Sequence, residues 1–153
     1  MTGAIETFFL AMAPIGELRA SLPVALTIYD MNWPLAFLIS VLGNLIPVAA
    51  LLLFLGPVSG WLSGKSSFMK KFFTWLFERT GRKAGQRITV YGDIALVSFV
   101  AVPLPFTGAW TGAVAAFLFG IPFKKAFPLI SLGVLISGGI VLILTKAGML
   151  WLT

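Results

Sequence analysis

Residues 13–23 read APIGELRASLP, an apolar run that holds a carboxylate and a guanidinium two residues apart, at Glu17 and Arg19. The residues around this pair that interrupt helices are Pro14, Gly16 and Pro23. Because proline removes a backbone donor and clashes with the preceding turn, the pattern predicts two short helices around a bend, the second limited by Pro23. If the run lies in a membrane, its charges are costly and mark a candidate functional site.

The composition is that of an integral membrane protein. Of the 153 residues, 59% are hydrophobic and 10% are charged, and the mean hydropathy is +1.02. Charged residues are absent from residues 31–64, 94–123 and 126–145, and each window is long enough to cross a hydrocarbon core of about 30 Å as a helix. We therefore expect a single domain, residues 1–153, that passes several times through the inner (cytoplasmic) membrane of the cell.

The residue inventory excludes several kinds of chemistry. Cysteine and histidine are absent, which removes disulfides, thiol nucleophiles, imidazole bases and the usual zinc ligands. The five carboxylates are scattered along the chain, so a metal cluster or an acid–base pair would need long-range convergence. We expect no enzyme activity, no metal and no cofactor.

The basic residues are concentrated in one polar segment. Seven of the eleven Lys and Arg residues lie in residues 65–92, which the positive-inside rule predicts to be cytoplasmic. Anionic headgroups attract such a segment, so we expect membrane lipids and no nucleic acid as partners. Aromatic residues recur at helical spacing over about residues 66–80 and predict an amphipathic interfacial helix there.

Two apolar segments are continuous and two are broken. Residues 33–55 and 127–150 are predicted to span the membrane as single helices. Residues 4–29 are broken at the bend described above, and residues 94–122 are broken by PLPFTG at residues 103–108. Irregular backbone at membrane depth survives only where protein or a water-filled cavity satisfies it, so these segments predict two re-entrant helical hairpins.

A weak internal repeat relates the two halves of the chain. SVLGNLIP at residues 40–47 resembles SLGVLIS at residues 131–137 with one residue deleted, and each half reads as a broken hairpin followed by a spanning helix. We predict an all-α integral membrane fold built from an inverted repeat, residues 1–56 and 94–153. A basic amphipathic connector, residues 57–93, lies between the halves.

The charged pair has two interpretations. In a transport role, Glu17 would bind a cationic substrate or a proton, and Arg19 would hold a phosphate or carboxylate of the cargo. In a structural role, Glu17 caps the second half-helix of its own hairpin and Arg19 reaches a lipid headgroup. At spacing i, i+2 the two side chains do not share a helical face. They pair only if the backbone is non-helical there, or else each has a separate partner.

The second break and the first spanning helix supply further candidates. Besides the charged pair, the substrate- or ion-binding candidates are Thr107, Trp110, Thr111 and Asn44. Trp110 would either stack on an organic cation or fill the centre of the bundle. Asn44 is expected to hydrogen-bond across to a hairpin. The residues predicted to shape the bends are Pro14, Gly16, Pro23, Pro103, Pro105, Gly108 and Gly112.

Three motifs give the chain a family resemblance: GELRASLPVA at residues 16–25, GNLIP at residues 43–47, and the stretch from YGD to FVAVPLPFTGAWTGAVAA at residues 91–116. They resemble the bacterial and archaeal family called "putative small multidrug export proteins". That family is similar to the DedA superfamily, and the resemblance implies two re-entrant hairpins with spanning helices in inverted arrangement. The superfamily includes lipid-carrier flippases and proteins implicated in proton-coupled transport.

The chain also departs from the DedA pattern. DedA members typically have arginines beside the proline of the second hairpin, whereas no Lys or Arg occurs here between Arg87 and Lys124. This chain therefore has no counterpart of the phosphate-binding arginine that the resemblance would imply in the second hairpin, which counts against transport of a polyprenyl phosphate. The residues that are carried over are Glu17, Arg19, Pro23, Pro103, Pro105, Thr107, Gly108, Trp110 and Gly112.

These features predict a secondary transporter that exports a small amphiphile or organic cation, with Glu17 as the candidate site of proton coupling. One alternative is a lipid flippase or scramblase of the DedA type, with Arg19 at the phosphate of a lipid carrier. Another is a non-transporting membrane assembly protein. Because four short elements barely enclose a pathway, we expect a homo-oligomer, with a dimer favoured.

Overall fold

A computed structural model describes residues 2–65, 67–68, 70–71, 74–75, 88–104 and 107–152. The helices in this part of the chain are α1 (Thr2–Met12), α2 (Glu17–Thr27), α3 (Trp33–Lys65), α4 (Ile88–Ala101), α5 (Ala109–Leu118) and α6 (Phe123–Leu152). Those residues contain no β-strand. The all-α prediction is confirmed for them.

Two helices are long and apolar enough to cross a membrane. They cover Trp33–Trp61 and Phe123–Trp151. The most apolar 18 consecutive residues of these helices have mean hydropathies of 2.5 and 2.4, and 33% of those residues are buried. Large hydrophobic side chains of both helices, such as Phe54 and Ile143, are exposed, as expected for contact with lipid. The chain is a helical membrane protein.

Both long helices extend further than the sequence predicted. α3 continues through Pro57 to Lys65, so the boundary at residue 56 is not a helix end, and α6 begins at Phe123 rather than 127. A proline removes one hydrogen bond of the helical ladder, and apolar helices tolerate it where neighbouring groups compensate.

The first broken segment folds back on itself. A Cβ atom on Gly3 would lie 2.7 Å from Cγ of Tyr29, and the Tyr29 hydroxyl donates to the Glu6 carboxylate. The start of α1 therefore meets the end of α2, and the bend lies at residues 13–16. Each helix has 11 residues, or about 16 Å of length.

Pro23 does not limit this hairpin as predicted. It lies inside α2, which continues four residues further to Thr27. The Thr27 hydroxyl donates to the Pro23 carbonyl at 2.8 Å. Leu18 and Leu22 on the same helix are buried in the core, so packing of this face holds α2 together despite the lost hydrogen bond.

The second broken segment also folds back. A Cβ atom on Gly112 of α5 would lie 2.5 Å from Cγ2 of Val100 on α4. At the other end of the pair, Lys125 Nζ lies 2.9 Å from Asp93 Oδ2. α4 begins at Ile88, six residues before the predicted segment. Asp93 therefore lies inside α4, with Lys125 as the partner of its carboxylate.

The two halves make corresponding contacts. α1 packs on α3 and α4 packs on α6, whereas α2 and α5 each contact both long helices. A Cβ atom on Gly43 of α3 would lie 2.6 Å from the Phe8 carbonyl oxygen. On Gly133 of α6 it would lie 3.0 Å from the Val97 carbonyl oxygen. Each hairpin is thus seated against a glycine of the long helix that follows it.

The connector is described only in part. Residues 67–68, 70–71 and 74–75 are helical, and Phe68 and Trp75 are exposed. The rest of the amphipathic helix predicted for residues 66–80 lies outside the described residues.

Candidate functional site

The two breaks lie next to each other and enclose a cavity of about 270 Å³, called here the break cavity. Sequence-predicted residues that line it are Pro14, Gly16, Glu17, Arg19, Pro103, Thr107 and Thr111. Pro105 lies outside the described residues. The tertiary structure therefore places most of the candidates from both halves around one space.

Glu17 joins the two hairpins through its carboxylate. Its Oε2 accepts a hydrogen bond from the amide of Ala109, and its Oε1 accepts one from the amide of Trp110, both at 3.1 Å. These amides open α5, where the helix dipole is positive and the N–H groups lack helical partners. The side chain is only 7% exposed. Glu17 therefore caps a helix of the opposite hairpin, not of its own.

The backbone of Glu17 is unusual as well. Its φ angle is +50°, whereas the preceding Gly16 has an ordinary φ of −92°. From the sequence, the unusual backbone conformation was expected at Gly16. In the structure, the residue with the left-handed conformation is Glu17. That conformation costs a non-glycine residue roughly 1–2 kcal/mol. The strained residue is the one whose side chain bridges the hairpins.

Gly108 makes room for this contact. A Cβ atom at this position would lie 2.2 Å from Oε2 of Glu17 and 2.7 Å from its Cδ and Oε1. The φ angle of Gly108 is 162°, which is extended backbone that any residue adopts. Glycine is required here for space, not for conformational freedom.

Arg19 holds the other side of the second break. Its Nη1 donates to the Leu104 carbonyl, and its Nη2 lies 3.3 Å from both the Val102 carbonyl and Oγ1 of Thr107. The Thr107 oxygen is itself 3.0 Å from both carbonyls. The guanidinium thus satisfies carbonyl groups that follow α4, where the helix dipole is negative.

Glu17 and Arg19 therefore have separate partners. Among the described residues the salt bridge within 4.0 Å joins Lys125 to Asp93, not Glu17 to Arg19. The first hairpin presents an anion to the start of one half-helix of the second hairpin and a cation to the end of the other. We refer to these contacts of Glu17 and Arg19 together as the cross-hairpin clasp.

Two predicted candidates lie outside the break cavity. Trp110 contributes its amide to Glu17, but its indole Nε1 is buried and has no hydrogen-bond partner among the described residues. Asn44 is 2% exposed, and its Oδ1 likewise has no partner within that part of the chain. The predicted hydrogen bond between Asn44 and a hairpin therefore does not involve this oxygen and stays a prediction for the side-chain nitrogen. A gap of about 10 Å³ separates Asn44 from Glu17 and Arg19, which is about the space of one water molecule.

Sequence reasoning missed a second cavity of about 620 Å³ between α4 and α5. Its wall includes Asp93 and Lys125, which are separated by more than thirty positions in the sequence. No spacing rule connects residues so far apart, and in the sequence Asp93 is one of five scattered carboxylates. The folding back of α4 and α5 creates this cavity.

Comparison with known families gives a match over most of the chain. Residues 17–140 match a family model described as "Putative small multi-drug export protein". The match begins at Glu17, directly after the first break, and includes Arg19, the second break, all of α3 and more than half of α6. No match is found among curated proteins or among solved structures. The chain therefore belongs to the small multidrug export protein family.

Proposed function

We propose that this protein is a secondary transporter that exports small amphiphilic or cationic compounds across the inner membrane. Its family description supports export, and the break cavity supports a pathway, since it places polar and charged groups within an apolar helical bundle. The observation that carries the proposal is the cross-hairpin clasp. Transporters commonly place their sites where discontinuous helices meet near the middle of the bilayer.

The proposed architecture is an inverted repeat of two re-entrant hairpins, each followed by a spanning helix. Three of the four hairpin helices have 10 or 11 residues, and α4 has 14, whereas about 20 are needed to cross a bilayer. The corresponding glycine contacts at Gly43 and Gly133 support the repeat. In the proposed orientation the basic segment, residues 65–92, is cytoplasmic.

Glu17 is the proposed proton site. Among the described residues it is the one buried carboxylate, and its ionised form accepts the two amides that open α5. A protonated carboxyl group gives up acceptor capacity at one oxygen. Proton binding would thus loosen α5 from α2 and open the break cavity, whereas proton release would restore the clasp.

Transport of an organic cation by reconstituted protein tests this function. We expect wild-type proteoliposomes to move ethidium at a rate that depends on an imposed proton gradient, and Glu17→Gln to remove that dependence. Glu6→Gln is the matched control, because Glu6 is an exposed carboxylate on α1, and it should transport like wild type. Gradient-independent transport by wild type, or coupled transport by Glu17→Gln, would contradict the proton role.

A flippase acting on a phosphate-bearing lipid is the second candidate, favoured by one observation. The hydrogen-bond partners of Arg19 are uncharged: the carbonyls of Leu104 and Val102 and the hydroxyl of Thr107. The guanidinium charge is therefore available to an anionic headgroup in the break cavity. The same liposomes loaded with a fluorescent lipid phosphate distinguish the candidates. If neither probe moves, both transport functions fail and an assembly role is left.

We also propose that the protein works as a homodimer in which a second copy covers the breaks. Ile15, at the tip of the first bend, is 99% exposed, and non-helical backbone is not tolerated facing lipid. In nanodiscs we expect two copies per particle by light scattering, and single copies for Ile15→Glu. Ile28→Glu, at the opposite end of the hairpin, is the control. Single copies of wild type would refute the dimer.

A further inference from the structure

The second hairpin and the start of α6 line a cavity of their own. The α4–α5 cavity has a volume of about 620 Å³ and shares no lining residue with the break cavity. Its apolar wall includes Leu96, Phe99, Ala115 and Phe119. The volume falls in the range of small-molecule sites, about 300–1,000 Å³.

Backbone conformation identifies corresponding positions in the two hairpins. The turns after α2 and α5 each hold one residue with a left-handed backbone, Asp30 with a φ angle of +46° and Gly120 with one of +68°, and the next long helix begins three residues later in both. Tyr29 and Phe119 each directly precede that residue, so they occupy the same place in the two turns.

The side chains at these two positions differ in what they fill. The ring of Tyr29 lies against Gly3 near the start of α1, and its hydroxyl donates to Glu6. Phe119 has no polar end, is 58% exposed and lines the open cavity. The first hairpin therefore uses this position for a contact with α1, whereas in the second hairpin the position borders open space.

Charged groups of both signs line this cavity. Asp93 and Lys125 face each other at 2.9 Å, with side chains 28% and 41% exposed. A partly exposed ion pair contributes only about 0–1 kcal/mol, so a ligand that offers both charges replaces it at little cost. The exposed Tyr91 also lines the cavity, and tyrosine prefers the headgroup level of a bilayer.

We propose that the α4–α5 cavity binds one zwitterionic phospholipid with a primary ammonium group. Its hydrocarbon would lie among the apolar side chains, its phosphate at Lys125 and its ammonium at Asp93. A purely cationic amphiphile would leave Lys125 unpaired, and an anionic lipid would leave Asp93 unpaired. A quaternary ammonium offers no N–H donor to the carboxylate. The proposal does not depend on which compound the break cavity transports.

Lipid retention by the full-length protein tests the site. The protein is reconstituted in nanodiscs of equal parts phosphatidylethanolamine, phosphatidylcholine and phosphatidylglycerol, and its retained lipids are counted by native mass spectrometry. We expect one phosphatidylethanolamine per chain for wild type. Ile121→Tyr, which adds a bulky ring to the cavity wall, should lose that lipid, whereas the size-matched Ile121→Leu should keep it.

A second pair of variants keeps the test decisive if Ile121→Tyr fails to fold. Asp93→Asn should abolish the preference for phosphatidylethanolamine over phosphatidylcholine, and Ala115→Phe should remove retention by filling the cavity. Ala147→Phe, an exposed position of α6, is the control for added bulk. Equal retention of all three lipids by wild type, or preference for phosphatidylglycerol, would overturn the proposal. So would retention unchanged in both Ile121→Tyr and Ala115→Phe.

Discussion

Gly108→Ala should lower the melting temperature of the purified protein by about 6–12 °C. The new Cβ would lie 2.2 Å from Oε2 of Glu17, so the carboxylate must leave the amides of Ala109 and Trp110. Hydrogen bonds to a charged group are worth about 1.5–3 kcal/mol each. Losing both costs roughly 3 kcal/mol or more, and each kcal/mol shifts the midpoint of a chain of this size by about 2–4 °C.

A double-mutant cycle separates this mechanism from general crowding. Glu17→Ala should be about as damaging as Gly108→Ala, because it leaves the same two amides of α5 without their acceptor. In the Glu17→Ala background, Gly108→Ala should then lower the free energy of unfolding by no more than about 0.5 kcal/mol further, because the Glu17 carboxylate that it would displace is absent. Thermal unfolding in detergent measures all three variants. Additive losses would show that Gly108 is needed for another reason.

Gly43→Ala should separate the first hairpin from its long helix. Its Cβ would lie 2.6 Å from the Phe8 carbonyl oxygen and 2.9 Å from Cβ of Ala11. The first of these is a backbone atom, so a rotamer change does not relieve the clash, and α1 must move away from α3. Overpacking of this kind costs about 1–3 kcal/mol. We expect a drop of about 2–12 °C in the melting temperature.

The matched control is Gly139→Ala on α6. Gly139 also lies within a long helix, but a Cβ there meets nothing within 4 Å, so the substitution should be neutral or stabilising by up to about 1 kcal/mol. Gly133→Ala, which meets Val100 and the Val97 carbonyl, should resemble Gly43→Ala. If Gly43→Ala is as harmless as the control, the close approach of α1 to α3 is wrong.

The positions of the helices were largely predictable because their causes are local. Pro14 and Gly16 lie within the turn at residues 13–16, and two of the charge-free windows, residues 31–64 and 126–145, fall largely within α3 and α6. Helix limits were less predictable. Pro23 was expected to end α2, and the first spanning helix was expected to end at residue 55, but α2 continues to Thr27 and α3 continues through Pro57 to Lys65. Side-chain packing and apolar surroundings outweigh the loss of one backbone hydrogen bond.

The sequence could nominate the charged pair but not its partners. Charge in an apolar run singles out Glu17 and Arg19 without any knowledge of the fold. Apart from the Thr107 hydroxyl, which the sequence also nominated, their hydrogen-bond partners are backbone groups of Ala109, Trp110, Val102 and Leu104. Every residue except proline has the same backbone amide, and every residue has the same backbone carbonyl. The residue types therefore do not indicate which backbone groups are the partners.

By itself, then, the sequence determined that this is an all-α membrane protein with two long apolar helices, two interrupted segments and one charged bend. Those features depend on hydropathy and on the positions of proline, which can be read from residues that are close together in the chain. The tertiary structure alone decided that Glu17 caps the helix that begins at Ala109, that Gly108 must lack a side chain, and that Tyr29 contacts α1 whereas Phe119 borders an open cavity. These contacts join residues more than twenty positions apart, and only the folding back of each hairpin brings them together.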